Sequence, residues 1–228
     1  MSTAPDTFKD RLLTHLLSVC SGAGYLDGVL LATPDIDAAW ERLAPDYLGD
    51  AVREFNGYPE YTLACAGFLG MAVAHLWDTD LPRFRNCTFA DFLGPRGFDD
   101  MDDFITGTLL QPPAAPAASA PSVSAPGPAP AVAAPASAVA DPASAVAAPA
   151  APSAPAGGPL PGVAAMQTCA GEAYHFLMRE NAEPGTAGAY RQFIATAEAM
   201  FRLGAAIELR RLGYKLVAVT PAASTHPS

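Results

Sequence analysis

The sequence predicts an all-α protein: a helical bundle of about seven helices, interrupted by a long disordered Ala/Pro-rich linker. Three observations predict it. Apolar residues recur at three- and four-residue spacing rather than alternating. Start signals such as Thr33-Pro34 and Tyr58-Pro59, and a stop signal at Gly213, punctuate these runs. Residues 112–162 hold 21 Ala and 14 Pro among 51 positions, with Asp141 as their only charge.

Taken in order, the first helix is expected from about Thr7 to Cys20. Phe8, Leu12, Leu13, Leu16 and Cys20 share a face, and Thr7 with Asp10 makes a capping pair. Thr33-Pro34 opens a second helix that carries Ile36, Trp40 and Leu43 inward. Ala44-Pro45 is expected to restart the chain before Tyr47, Leu48, Val52 and Phe55. From Pro59 to Trp77 the sequence is apolar nearly all round, which predicts a central buried helix. Ala66, Gly70 and Ala74 lie four apart there and admit a close neighbour. Phe84 and residues 89–93 flank a turn at Gly94, and a last helix is expected from about Asp99 to Leu110.

In the tract, each proline removes a backbone donor and pushes its predecessor out of the helical region. Alanine runs this short cannot nucleate helix, and methyl groups bury too little area to order the chain. The chain therefore divides into an acidic helical domain (1–111), the disordered linker (112–162) and a helical hairpin (163–220). The hairpin's helices are expected at about Val163–Asn181 and Thr186–Leu212, joined by a turn at Glu183-Pro184-Gly185, with Tyr214–Val219 as an extended tail. Two helices make a marginal core. Their wide apolar face is expected to dock on the N-terminal helices; a second copy or a partner would cover it otherwise.

Charge narrows the function. The chain carries a net charge of -10, and residues 1–111 hold 17 acidic against 7 basic side chains. Such a surface repels phosphate backbones and anionic lipid, so neither nucleic acid nor membrane is expected as a partner. The start lacks a basic segment followed by an apolar one, and the longest apolar stretch is about 15 residues against the roughly 20 a span needs. Cytoplasmic residence is the default. Cys20, Cys65, Cys87 and Cys169 show no short pairing, so reduced buried thiols are expected.

Few residues suggest chemistry. Glu172 and His175 form a Glu-x-x-His pair, which on a helix puts a carboxylate and an imidazole on one face; helical di-metal sites use two such pairs. These two are the candidate metal ligands, and Cys169 steps by three with them. Asp99-Asp100-Met101-Asp102-Asp103 contains the D-D-x-x-D pattern that holds magnesium in larger helical enzymes. Acids also gather in a first helical turn because the macrodipole favours them. His15, Cys65 and His75 fit satisfied core positions. There is no G-x-G-x-x-G, no P-loop and no G-x-S-x-G, so no cofactor is expected and an enzyme is disfavoured. The expected function is a non-enzymatic protein–protein interaction or assembly module, with a protein partner or self-association. The alternatives are a metal-binding bundle using Glu172 and His175, and a small-molecule pocket lined by Tyr58, Tyr61, Phe68 and Trp77.

Overall fold

The computed structural model describes residues 7–110, 161–180 and 185–215; these form seven α-helices, with no strand among them. The expected linker lies outside the described residues up to position 160, as do Glu183-Pro184 and the tail from position 216.

Helix α1 spans Phe8–Gly22. The Thr7 hydroxyl oxygen accepts from the Asp10 N–H at 3.2 Å, and the Asp10 carboxylate reaches back to Thr7. The side-chain and backbone hydrogen bonds from Thr7 hold the Asp10 carboxyl below its ordinary value. The helix closes in a Schellman motif: Gly24 sits at φ +79, its N–H donates to Ser21 and the Tyr25 N–H donates to Cys20 O at 2.9 Å.

Helix α2 is continuous over Pro34–Glu54 and runs straight through Pro45, where a restart was expected. The missing N–H frees the Glu41 carbonyl. Glu41, Arg42 and Pro45 are all exposed, which puts that carbonyl on the solvent side of the helix, while Trp40, Leu43, Ala44 and Tyr47 stay buried on the other face. The packing of the inner face outweighs the proline.

Helix α3 (Pro59–Thr79) is the axis of the fold, with 14 of its 21 residues buried. It packs on α2, α6 and, most extensively, α7. After it come a short helix α4 (Leu81–Asn86), which the sequence reading lacked, and a 3₁₀ turn at Phe89–Phe92. The expected 99–110 helix is irregular. A 3₁₀ turn (Phe98–Asp100) leads into α5 (Met101–Phe104), and a π turn (Ile105–Leu109) follows, closed by the Leu110 N–H on Ile105 O at 3.0 Å.

Helices α6 (Pro161–Arg179) and α7 (Ala187–Arg211) make the C-terminal hairpin, and both pack on α3 and α1. The α3–α7 crossing is backbone on backbone. A Cβ on Gly70 would stand 1.9 Å from Phe201 O, and one on Gly204 would stand 1.9 Å from Gly67 O. The small-residue stripe of α3 thus does admit a close neighbour, with Gly67 as part of it. Helix α7 ends in a second Schellman motif: Gly213 has φ +96, and the Tyr214 N–H donates to Leu209 O at 2.9 Å.

One buried acid lies beyond the crossing. Glu208 is fully buried; its carboxylate accepts two hydrogen bonds of 2.6 Å from Arg211 and lies 2.9 Å from His75 Nδ1. Burial alone would push its carboxyl up. The Arg211 fork and the His75 imidazole outweigh that and hold it below the ordinary range. His75 is therefore a partnered residue on the edge of the core.

Candidate functional site

The hairpin does not bury all of its apolar surface. Where α6 ends and α7 begins, the two diverge around the C-terminal end of α2 and leave a groove of about 1020 Å³. Phe55, which caps the C-terminal end of α2, lines it, with its ring edge-on to Phe193 at 4.7 Å between centroids and to Tyr174 at 6.3 Å. Pro59 and Leu177 continue the wall. On the rim, Val52, Met178 and Tyr190 are 44%, 57% and 48% exposed. These are large exposures for apolar side chains, and all three meet in one place. None of the described lining residues is charged; Asn56 and Thr186 are among the polar ones. The Thr186 hydroxyl oxygen caps α7 by accepting from the Ala189 N–H at 3.2 Å.

The groove collects residues that are scattered in sequence. Val52 and Phe55 point into it because α2 runs unbroken past Pro45. Tyr174 and Met178 sit four apart on the last turns of α6, and Tyr190 and Phe193 sit three apart on the first turns of α7, so each pair shares a face. The groove's described lining carries no carboxylate, imidazole, thiol or amine; the hydroxyls of Tyr174, Thr186 and Tyr190 are its polar groups besides Asn56.

The residues singled out in the sequence lie elsewhere. The Glu172 carboxylate is 3.0 Å from His15 Nε2 on α1, and His15 stacks on Phe176 at 5.6 Å. His175 is exposed, with a ring contact to Tyr174 at 6.2 Å. Among the described residues no group of three or more His, Cys, Asp or Glu is gathered as a metal site requires. Two members of the aspartate run have structural partners. Asp100 is buried and accepts from the Arg96 N–H at 3.1 and 3.2 Å, closing the Gly94–Gly97 turn; Asp102 accepts from the Tyr61 hydroxyl at 3.2 Å.

The four residues of the expected small-molecule pocket do not converge. Tyr58 and Trp77 flank opposite ends of α3, about 28 Å apart at the helical rise per residue. Phe68 is core, the Tyr61 hydroxyl donates to Phe98 O at 2.8 Å, and the Trp77 N–H donates to Asp35 at 3.2 Å. Sequence reasoning missed the groove because its walls come from three elements. The signal available was the width of the apolar face on residues 163–212, which exceeds what one packed side of a hairpin can cover.

Among the described residues no helix is long and apolar enough to cross a membrane. No family model, no curated protein and no solved structure matches this chain.

Proposed function

We propose that this protein is a non-enzymatic interaction module, and that the α2–α6–α7 groove takes an apolar segment of a second protein. One observation carries this reading: three large apolar side chains, Val52, Met178 and Tyr190, each about half exposed around one groove whose described lining residues carry no charge. Aromatic residues and methionine, arranged around an apolar depression, are the composition that protein interfaces favour. The net charge of -10 supports a partner whose apolar segment is flanked by basic residues, since complementary charge raises the encounter rate. The cytoplasm is the proposed setting, supported by four free, buried cysteines.

The test uses a photoreactive benzoylphenylalanine in place of Tyr190 or Met178 in the full-length chain, with Leu81 as an exposed control. Cross-linking in the native cells should give one discrete adduct from both groove positions and none from the control. A Val52→Glu change should remove it. An adduct with the mass of two copies assigns the groove to self-association. Labelling no stronger than at Leu81 rejects the reading.

The same groove favours a second reading, a small apolar ligand, because its volume matches the upper range of ligand pockets and four aromatic rings line it. A thermal-shift screen of apolar metabolites separates the two. A ligand that raises the midpoint of the wild type but not of Phe193→Ala supports the small-molecule reading.

A further inference from the structure

We propose that Cys20 and Cys169 form a thiol–disulfide site, oxidised by a small hydroperoxide, that covalently ties the chain before the Ala/Pro tract to the chain after it. The two sulfurs lie 2.9 Å apart, and both cysteines are free. A disulfide needs about 2.05 Å, so a movement under about 1 Å closes the bond.

The surroundings hold this alignment from both sides. Cys20 belongs to the last turn of α1, which the Schellman motif pins through Cys20 O. Earlier turns of α1 grip the hairpin: Arg11 makes a two-pronged pair with Glu180 at 2.8 and 3.0 Å, and His15 meets Glu172. Phe8 packs on Phe176 with centroids 5.7 Å apart. The other cysteines differ. The Cys87 thiol donates to Phe84 O at 3.1 Å, and Cys65 is enclosed in α3 beside Tyr61. Neither has a described thiol in contact.

The two thiols also perturb each other. The hydrogen bond from Cys169 lowers the Cys20 thiol, against the effect of burial. Cys20, burial and the Glu172 charge together push the Cys169 thiol up. Either thiol can donate in this contact; with Cys20 as the attacking thiolate Cys169 resolves the intermediate, and the exchanged roles give the same disulfide. In the first step the Cys20 thiolate attacks one oxygen of hydrogen peroxide. The O–O bond breaks, hydroxide leaves and Cys20 becomes a sulfenic acid. In the second, the Cys169 sulfur attacks the Cys20 sulfur. The S–S bond forms, the S–O bond breaks, and the Cys169 proton leaves with the hydroxyl as water. Overall two thiols and one peroxide give one disulfide and two waters. At 0% and 1% exposure the site favours a peroxide-sized oxidant over a bulky disulfide such as oxidised glutathione.

Full-length protein treated with hydrogen peroxide should lose about 2 Da by intact mass. Peptide mapping should show a Cys20–Cys169 link that dithiothreitol reverses, and oxidised glutathione at equal concentration should react more slowly. In Cys169→Ser, dimedone should trap a sulfenic acid at Cys20. Because that variant alters a buried position, the wild-type peptide map decides if it fails to fold. A gain of about 32 Da without a link, a link through Cys65 or Cys87, or thiols that react only after unfolding would each overturn the proposal.

Discussion

Helix α7 meets its neighbours in two contrasting ways. In its second half it crosses α3 with backbone against backbone, and nothing but hydrogen fits between Gly204 and Gly67. In its first turns it faces aromatic rings across a groove of about 1020 Å³, with Tyr190 half in water. A close-packed crossing has no spare volume and transmits any added atom as strain. The open end has apolar surface beyond what its own core covers. A close-packed half and an open half are thus set apart along one helix, and substitutions on α7 should fall into two classes.

The largest expected effect is at the crossing. Gly204→Ala would place a methyl 1.9 Å from a backbone oxygen that no rotamer change can move. The helices must separate, and the expected loss is about 3 kcal/mol or more. Gly67→Ala is the internal control. Its new methyl meets the Met166 sulfur first, and a thioether can repack. Urea unfolding of both variants should rank Gly204→Ala well below Gly67→Ala. Equal losses would mean the helices are free to slide, and the contrast with the groove would dissolve.

Next in size is the buried acid beyond the crossing. Glu208→Ala leaves Arg211 and His75 without their shared partner and should cost roughly 2–3 kcal/mol, the range for breaking a hydrogen bond to a buried charge. The pH dependence has a definite sign. The folded carboxyl of Glu208 is held below its unfolded value. Its contribution is therefore complete above the unfolded pKa of about 4.3 and is lost as pH falls through the folded one. Between about pH 5 and pH 3 the wild type should lose more stability than Glu208→Gln, which has no proton to take up. Equal slopes measured by urea unfolding would show that the Glu208 carboxyl titrates alike in the folded and unfolded chain and is not held down by Arg211 and His75.

How much of this was legible beforehand follows the same division. Local signals fixed the helices well. Thr7 with Asp10, Thr33-Pro34, Pro59 and Gly213 each mark a boundary that the structure keeps within a few residues. Pro45 misled because its cost is local, while the benefit of continuing α2 comes from Trp40 and Tyr47 packing on distant helices. The irregular turns at 98–109 were unreadable because 3₁₀ and π geometry share the apolar spacing of an ordinary helix. Of the candidate site residues, Glu172 and His175 were found by spacing along one helix, yet Glu172 pairs across to His15, 157 residues away. Cys20 and Cys169 are separated by 149 residues, so nothing in their local sequence announces the contact. Glu208 was overlooked on an otherwise apolar face, although a histidine in the most buried helix implies a polar partner somewhere.

The smallest expected effect is on the other side of the comparison, and its smallness is what makes it informative. Met178→Ser and Tyr190→Ser remove apolar groups that are 57% and 48% exposed. Side chains this open contribute little to a folded core, so each should change stability by no more than about 0.5 kcal/mol. Both should nevertheless abolish any adduct formed at the groove, because interface energy concentrates in a few large apolar side chains. A loss of more than about 2 kcal/mol in either variant would mean that these residues support the fold and that the groove is core surface rather than surface held ready for a partner.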